Sequence, residues 1–321
     1  MTDSPVSDSP QRPVVLALWL ALLGCNAGVQ SPSAETCPAQ LGTNLAALES
    51  ITVIGEEVYW VDQTSTMFRV PRCGGTPQRA TKPGVATLSN FAGGDNIVLE
   101  SESTRTLFRP AASAEGVQLD DGPENRVLMT ANETMLAWTT PNKPSLTPVF
   151  ARTRRVGDIW RVAEAENINA IAMDDKDIYI ATQESVGRTS LTAGPLTELV
   201  ARPGGVSALA LTDMHVLISY RTKGIRGGGT IAKLPKAGGL LLTLAAESHE
   251  IVASTVLDSH VYYVTRSEFG AGHVRRVGTQ GGVIETLAET KNACSIAVDA
   301  TAVYVGTCEA GRGSLNRIAL H

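Results

Sequence analysis

The residues best suited to binding chemistry lie in one short stretch, where Arg221, Lys223 and Arg226 precede three consecutive glycines, Gly227–Gly229. Arginine offers a fixed set of donors to carboxylates and phosphates, and glycine lets a backbone approach a ligand closely. The stretch therefore predicts a site for an anionic sugar, a phosphate or an acidic protein surface. Because the glycines lack the spacing of a phosphate loop, a solvated flexible hairpin is the alternative.

A second set of polar residues stands just before or at the start of apolar stretches along the chain. Its members are Glu49, Asn125, Asn169, Glu250 and Asn292. Oxygen ligands that converge on one point can hold calcium, and propeller lactonases of the gluconolactonase type resemble this arrangement. The set predicts a calcium-dependent hydrolase as the alternative to a simple binding protein, for which no cofactor is expected.

Other catalytic patterns are missing from the sequence. There is no G-x-S-x-G nucleophile motif, the five histidines have no metal-ligand spacing, and there is no C-x-x-C-H haem motif. The net charge of -5 argues against nucleic acid as a partner. The sequence therefore favours binding over catalysis.

A ten-residue apolar run, Val14–Leu23, is long enough for the core of a signal peptide and too short to cross a bilayer. It ends at Leu22-Leu23-Gly24-Cys25, which resembles the lipobox of bacterial lipoproteins. The resemblance implies a signal peptide at 1–24, a lipid on Cys25 and a lipidated flexible tether at 25–38. An ordinary cleaved signal peptide, with Cys25 lost or paired, is the alternative.

Four further cysteines, an even number, predict disulfides in an oxidising compartment. They are Cys37, Cys73, Cys294 and Cys308, which allow three pairings. If residues 299–302 form a hairpin turn so that Val298 faces Val303, Cys294 lies almost opposite Cys308 at a separation suited to a bridge. Cys37 then pairs with Cys73. No pair has the close spacing of a structural zinc site.

The sequence contains a unit of about 40 residues that is repeated along the chain. Its most regular feature is a short β-branched and aromatic stretch that follows a polar turn, centred on Val58, Ile97, Leu136, Ile178, Val216, Val261 and Val303, at spacings of 39, 39, 42, 38, 45 and 42 residues. In each unit further apolar stretches lie before and after this stretch, and glycines precede the last apolar stretch of the unit. Units of four short strands are the blades of a β-propeller.

Some polar residues recur with the repeat and are interpreted as structural, because residues that recur in several blades serve the architecture. Asp174, Asp258 and Asp299 stand at the first turn of their units, where a carboxylate can accept backbone hydrogen bonds. A basic residue recurs in the third strand, at Arg69, Arg109, Arg152, Lys233, Arg276 and Arg317. We expect these cations to pair with carboxylates of adjacent blades.

The sequence predicts an all-β fold with a single propeller domain over 39–321, most simply of seven four-stranded blades, with six or eight as alternatives. The last unit stops after its third strand at Ile318, and residues 40–46 can supply the fourth. This closure would remove a free sheet edge. Tyr59-Trp60-Val61-Asp62 is similar to the YWTD motif, and the repeat as a whole resembles bacterial secreted propellers of the YWTD, NHL and TolB-like kinds.

These observations predict a monomeric lipoprotein whose propeller binds an unknown protein or carbohydrate without catalysing a reaction. Its membrane contact would be the lipid anchor on Cys25. Because Asn26 rather than Asp follows the cysteine, the lipobox resemblance implies the outer membrane of a Gram-negative cell envelope. A purely structural surface protein, without a concave polar site, is a third possibility.

Overall fold

A computed structural model describes residues 37–64, 66–80, 97–100, 105–108, 117–119, 128–132, 134–139, 146–153, 158–201, 204–222, 227–309 and 312–320. These residues form antiparallel sheets, six of four strands and one of three. No helix among them is long and apolar enough to span a bilayer. The signal peptide, Cys25 and most of the tether lie outside the described residues, so the predicted domain boundaries stay predictions.

Each sheet consists of strands that are consecutive in the chain, except that the last sheet also includes the first strand. The first two four-stranded sheets contain β2 (Leu48–Ile54), β3 (Glu57–Asp62), β4 (Met67–Pro71) and β5 (Gln78–Arg79), and β9 (Met129–Ala131), β10 (Met135–Thr139), β11 (Thr147–Thr153) and β12 (Trp160–Ala165). Between them in the chain is the three-stranded sheet of β6 (Ile97–Glu100), β7 (Arg105–Phe108) and β8 (Val117–Leu119). The next two sheets contain β13 (Ile168–Met173), β14 (Asp177–Thr182), β15 (Ser185–Ser190) and β16 (Thr197–Ala201), and β17 (Val206–Leu211), β18 (His215–Arg221), β19 (Gly229–Pro235) and β20 (Leu242–Glu247). The last two contain β21 (Glu250–Leu257), β22 (His260–Arg266), β23 (Ala271–Gly278) and β24 (Glu285–Lys291), and β25 (Ala293–Val298), β26 (Ala302–Thr307), β27 (Gly313–Ala319) and β1 (Gln40–Leu45).

The first strands of the four-stranded sheets contact one another in sequence. Strand β9 contacts β13, and the contacts continue through β17, β21 and β25 to β2, which joins the last sheet to the first. A ring of four-stranded antiparallel sheets, each entered through its innermost strand, is a β-propeller. The predicted fold is therefore confirmed, whereas the count of seven blades stays a prediction.

The ring closes as the sequence predicts. Strand β1 pairs antiparallel with β27, with Leu45 opposite Gly313, so a segment from the start of the domain completes the last sheet. The repeat anchors also lie where expected, because Val58, Ile178 and Val303 are fully buried in the second strands β3, β14 and β26. Closure removes the edge that β27 would otherwise expose.

The hydrophobic core lies between neighbouring sheets. At the junction of the last and first sheets, Leu41, Leu48, Trp60, Tyr304 and Leu315 form one buried cluster. Burial of large aromatic and aliphatic side chains is the main favourable term in such packing. Burial between neighbouring sheets therefore stabilises the fold, including the junction between the last sheet and the first.

Both predicted disulfides are present. Cys294 and Cys308 have Cα atoms 5.9 Å apart, and Val298 faces Val303 in the hairpin that brings them together. Cys37 and Cys73 have Cα atoms 4.4 Å apart and join the segment before β1 to the turn after β4. This second bond therefore links the closing strand of the last sheet to the first sheet.

The expectation for the repeated basic residues is wrong where the structure gives their partners. Arg69 bonds Glu57 at 3.0 Å, and Arg276 bonds Glu285 at 2.7 Å, each within its own sheet. The reason is register, since Arg276 stands directly opposite Glu285 in the pairing of β23 with β24. Lys233 does reach the next sheet, but it donates to the Gln280 amide at 2.7 Å. Arg109 lies outside the described residues.

Candidate functional site

The two ends of the sheets carry different connections. One end, called here the pocket face, carries the links between sheets and the loops that join second to third strands. The other, called here the turn face, carries the turns between first and second and between third and fourth strands. In propellers and other rigid scaffolds, loops are where binding residues concentrate, so the pocket face is the first place to look for a site.

A cavity of about 630 Å³ opens on the pocket face. Its lining residues are Gly227, Ser248, His249, Glu250, Arg266, Ser267, Glu268, Phe269, Gly270 and Asn292. They come from the β18–β19 loop, the β20–β21 link, the β22–β23 loop and the β24–β25 link. The volume lies within the range of small-molecule pockets, and the lining mixes charged, amide, imidazole and aromatic groups.

The charged centre of the pocket is Glu250, which faces two arginines. Arg221 Nη2 donates to Glu250 Oε1 at 2.9 Å, and Arg266 Nη2 lies 3.9 Å from Glu250 Oε2. The Arg221 side chain is 74% exposed, whereas those of Glu250 and Arg266 are about one third exposed. One carboxylate between two guanidiniums carries a net charge of +1, and Glu268, which also lines the pocket, brings the total for these four side chains to zero. Each guanidinium has five N–H donors, so the pair is suited to bind a hydroxylated or anionic group as well as Glu250.

The backbone of the pocket is held by the contact between Gly270 and Asn292. Asn292 donates its backbone N–H to the Gly270 carbonyl at 2.7 Å, and both residues have positive φ, +84° for Gly270 and 53° for Asn292. A Cβ on residue 270 would lie 1.9 Å from Asn292 Oδ1. Only glycine therefore fits at this position, and it places the Asn292 amide at the pocket wall.

Two imidazoles stack beside Glu250. The ring centroids of His249 and His273 are 6.5 Å apart, with 12° between the ring planes. The Nδ1 atom of His273 is buried and makes no hydrogen bond to any described residue. The two residues are 24 positions apart in the chain. No spacing pattern indicates their contact, because the link before β21 and the start of β23 meet only in the folded protein.

A cluster of hydrogen-bonded side chains around Glu247 lies next to the pocket. Glu247, only 5% exposed at the end of β20, accepts a hydrogen bond from the Tyr263 hydroxyl at 2.7 Å and pairs with Arg275 at 2.5 Å. Both partners belong to the next sheet. Burial, together with the hydrogen bond to Glu247, raises the pKa of Tyr263 well above its usual value. These bonds fix the strand end from which Ser248 and His249 enter the pocket.

Phe269 stands at the rim, with 91% of its surface exposed. The loop that carries it is tightly bonded, since Ser267 N–H donates to the Ala271 carbonyl at 2.7 Å and Gly270 N–H donates to the Ser267 carbonyl at 3.0 Å. An exposed aromatic ring on a rigid turn loses little conformational entropy on binding. Phe269 is therefore suited to contact a ligand or partner.

The structure brings together three of the residues that the sequence singled out. Glu250 and Asn292 line the pocket, and Arg221 reaches it through Glu250. Asn169 is exposed at an irregularity in the pairing of β13 and is not among the lining residues. Glu49 is described only as part of β2. Lys223, Arg226 and Asn125 lie outside the described residues.

Of the predicted calcium ligands that the structure describes in full, Glu250 and Asn292 line the pocket and Asn169 does not. Glu250 is engaged by two arginines, which compete with a cation for the same oxygens. In the described part of the chain, no group of three or more His, Cys, Asp or Glu side chains is arranged to hold a metal ion. The arrangement is better suited to hydrogen bonding and ion pairing with a ligand than to metal-assisted hydrolysis.

Comparison with known proteins supports the fold and no narrower class. No protein-family model matches the chain, and no curated protein matches it. Among solved structures, the extracellular domain of the hybrid two-component system BT4673 from B. thetaiotaomicron is 12% identical, with a TM-score of 0.63 over 88% of this chain and 39% of that one. A puromycin hydrolase mutant is 13% identical, with a TM-score of 0.61 over 83% of this chain and 50% of that one. BamB from Moraxella catarrhalis is 11% identical, with a TM-score of 0.50 over 86% of this chain and 84% of that one.

Proposed function

We propose that this chain is a lipoprotein of the bacterial cell envelope whose β-propeller is a non-catalytic binding module, with its site on the pocket face. The observation that carries the proposal is the pocket itself. It combines Glu250 between two arginines with an exposed Phe269 on a rigid loop. Mechanistically, the closed ring presents loops from three neighbouring sheets in a fixed geometry, so a partner meets preorganised donors and an aromatic contact.

The proposed location has two supports besides the lipobox resemblance. The domain contains two disulfides, Cys37–Cys73 and Cys294–Cys308, and disulfides persist in oxidising compartments outside the cytosol. The BT4673 structure, which shares the fold, is described as an extracellular domain. The anchor is proposed at Cys25, with the outer membrane of a Gram-negative cell as the expected site, and mass spectrometry of the N-terminal peptide tests it directly.

The site is tested by capture from detergent-solubilised envelope on the immobilised full chain. The Arg221→Ala/Arg266→Ala double variant removes both guanidiniums that face Glu250, and we expect it to lose the protein or carbohydrate that the wild type retains. Arg161→Ala is the matched control, because Arg161 is an exposed arginine paired with Glu164 at 3.1 Å on β12, outside the pocket. Equal retention by all three chains would contradict the proposed site.

The calcium-dependent hydrolase is tested separately by calorimetric titration of the chain with calcium. Because Glu250 is held by Arg221 and Arg266, we expect no binding at micromolar affinity. Binding at that affinity, lost in the Asn169→Ala/Glu250→Ala variant, would support the hydrolase instead and would justify a screen of lactones and phosphoesters.

A further inference from the structure

The exposed apolar side chains of the described residues are concentrated on the turn face. Seven large apolar residues are exposed, and five of them lie in or beside turns of that face. These five are Leu196, Met214, Leu240, Leu242 and Val283. Single exposed apolar residues are ordinary in soluble proteins, but their collection on one end of three successive sheets needs an explanation.

Leu240 and Val283 occupy equivalent positions in neighbouring sheets. Each follows a pair of glycines in the turn between third and fourth strands, Gly238-Gly239 and Gly281-Gly282. Leu240 is 79% exposed and Val283 is 90% exposed. Two apolar tips therefore project from the same end of adjacent sheets, and Met214, 71% exposed in the β17–β18 turn, projects from that end as well.

The chain that precedes the domain leaves from the same face. Ala319 at the end of β27 pairs with Ala302, which directly follows the first turn of its sheet, so β27 ends on the turn face. Strand β1 runs antiparallel to β27 and therefore starts there, with the Ala39 carbonyl accepting a hydrogen bond from Arg317 N–H at 2.7 Å. The Cys37–Cys73 bond then fixes the exit point to the turn after β4, also on this face.

The exit point limits how far the domain can lie from a lipid on Cys25. Twelve residue steps separate Cys25 from Cys37, and a chain of that length spans at most about 40 Å. A propeller held at this distance through its turn face presents that face to the membrane surface more readily than the opposite one.

We propose that the turn face lies against the membrane that carries the lipid anchor, with Met214, Leu240 and Val283 entering the interfacial region and the pocket directed away. This inference rests on the proposed lipid anchor. Apolar side chains at turn tips partition into the interface between head groups and acyl chains. Exposed Asp175, Asp213 and Asp258 outnumber the exposed Lys176 on the first turns of these three sheets. Because these turns have no net attraction to anionic lipid, the expected surface is zwitterionic.

The test uses the full lipidated chain in phosphatidylcholine vesicles that contain doxyl-labelled lipid, which quenches nearby fluorophores. An environment-sensitive fluorophore is attached to Leu240→Cys or Val283→Cys, and to Phe269→Cys on the pocket face as the control. We expect a severalfold larger loss of fluorescence at positions 240 and 283 than at 269. Adding anionic lipid should not increase it.

A second variant shows whether the apolar tips cause the contact. With the fluorophore on Met214→Cys, the Leu240→Asp/Val283→Asp change should reduce quenching severalfold, and circular dichroism should show that the sheets are retained because both side chains are exposed. Quenching at 269, or none at 240 and 283 in a lipidated chain, would overturn the orientation while leaving the anchor intact and pointing to a protein partner for this face. A chain whose mass shows no lipid on Cys25 would overturn the anchor and the orientation together.

Discussion

Asp299 in the last sheet accepts a hydrogen bond from Arg72 in the first sheet at 3.0 Å, across the junction where the ring closes. The same carboxylate accepts the backbone N–H groups of Thr301 and Ala302 in its own turn, and the Tyr304 hydroxyl at 3.0 Å. Asp299 therefore joins a turn, a core tyrosine and a neighbouring sheet. Burial, with Asp299 adding to the effect, raises the pKa of Tyr304 to about 12.

The same arrangement joins two sheets in the middle of the chain. Asp174 bonds Lys236 of the next sheet at 2.7 Å, the Tyr179 hydroxyl at 3.2 Å and the backbone N–H groups of its own turn. Asp258, at a similar place in its sheet, is exposed. The predicted structural role of the repeated aspartates is thus visible at two of the three positions, where it also includes contact between sheets.

Asp299→Asn is expected to destabilise the domain by about 2 kcal/mol, since a partly buried hydrogen bond to a charged group contributes about that much. Asparagine keeps the Oδ1 atom that accepts the turn N–H groups, so the change removes only the bonds that Oδ2 accepts from Arg72 and from the Tyr304 hydroxyl. Urea denaturation measures the effect. Asp258→Asn is the matched control and should change the free energy of unfolding by about 0.5 kcal/mol or less; a similar loss in both variants would contradict the role of the pair.

The titration of Asp174 and Asp299 should contribute to the pH dependence of stability. Burial opposes ionisation of Asp299 and Asp174, but hydrogen bonds from their turns and from Arg72 or Lys236 outweigh it and hold each pKa below its ordinary value of 3.8. A carboxyl with a lowered folded-state pKa stabilises the fold above its unfolded-state pKa, and this contribution is lost as pH falls below about 4 through the folded-state pKa.

We therefore expect the free energy of unfolding to fall as pH decreases below about 4, and to fall less in an Asp174→Asn/Asp299→Asn variant. Denaturant titrations at several pH values measure this directly. If the variant shows the same acid loss as the wild type, the titration of these two groups does not control acid stability.

Removal of the Cys37–Cys73 bond should loosen the closing strand before the rest of the domain. The Cys37→Ala/Cys73→Ala variant loses a crosslink between positions 36 residues apart, and the expected cost is about 4 kcal/mol. Hydrogen exchange should then accelerate first in β27, which pairs with β1 along one edge. Uniform acceleration across all sheets would show that the bond stabilises the ring as a whole.

Gly270→Ala should distort the pocket more than a glycine substitution that adds backbone strain alone. Gly55→Ala is the control, because Gly55 in the β2–β3 turn, outside the pocket, also has positive φ, +56°, but a Cβ there would meet no atom of the described residues within 4 Å. We expect the control to cost about 1 kcal/mol and Gly270→Ala to cost more and to weaken ligand capture. Calorimetric melting and the envelope capture assay measure the two effects; equal costs and unchanged capture would contradict the Asn292 contact.

Much of the architecture was predictable because it repeats. The anchors at Val58, Ile178 and Val303, the closure by residues 40–46 and both disulfides follow from local patterns and the hairpin register. The pairing of Arg276 was predicted wrongly, since a cation in mid-strand meets the residue directly opposite before it reaches another sheet. The repeated turn aspartates are reached from neighbouring sheets by Arg72 and Lys236 instead, which stand just beyond the third strands.

The pocket was only partly predictable. Glu250 and Asn292 were singled out because they stand just before or at the start of innermost strands, as members of the set proposed for the alternative, calcium-dependent function. The pairing of Glu250 with Arg221, 29 residues earlier, depends on how neighbouring sheets are placed in the ring. The same holds for the stacking of His249 with His273. Neither contact has a sequence period, because each arises between loops of different sheets.

The most direct test of the binding module is photo-crosslinking in cells with a benzophenone amino acid in place of Phe269. The same residue in place of Leu146, 49% exposed in the β10–β11 loop of the same face, is the control. We expect a discrete adduct from position 269 that is absent from position 146 and is lost in the Arg221→Ala/Arg266→Ala variant. No adduct at 269, or the same adduct from both positions regardless of the arginines, would contradict a binding site at this pocket.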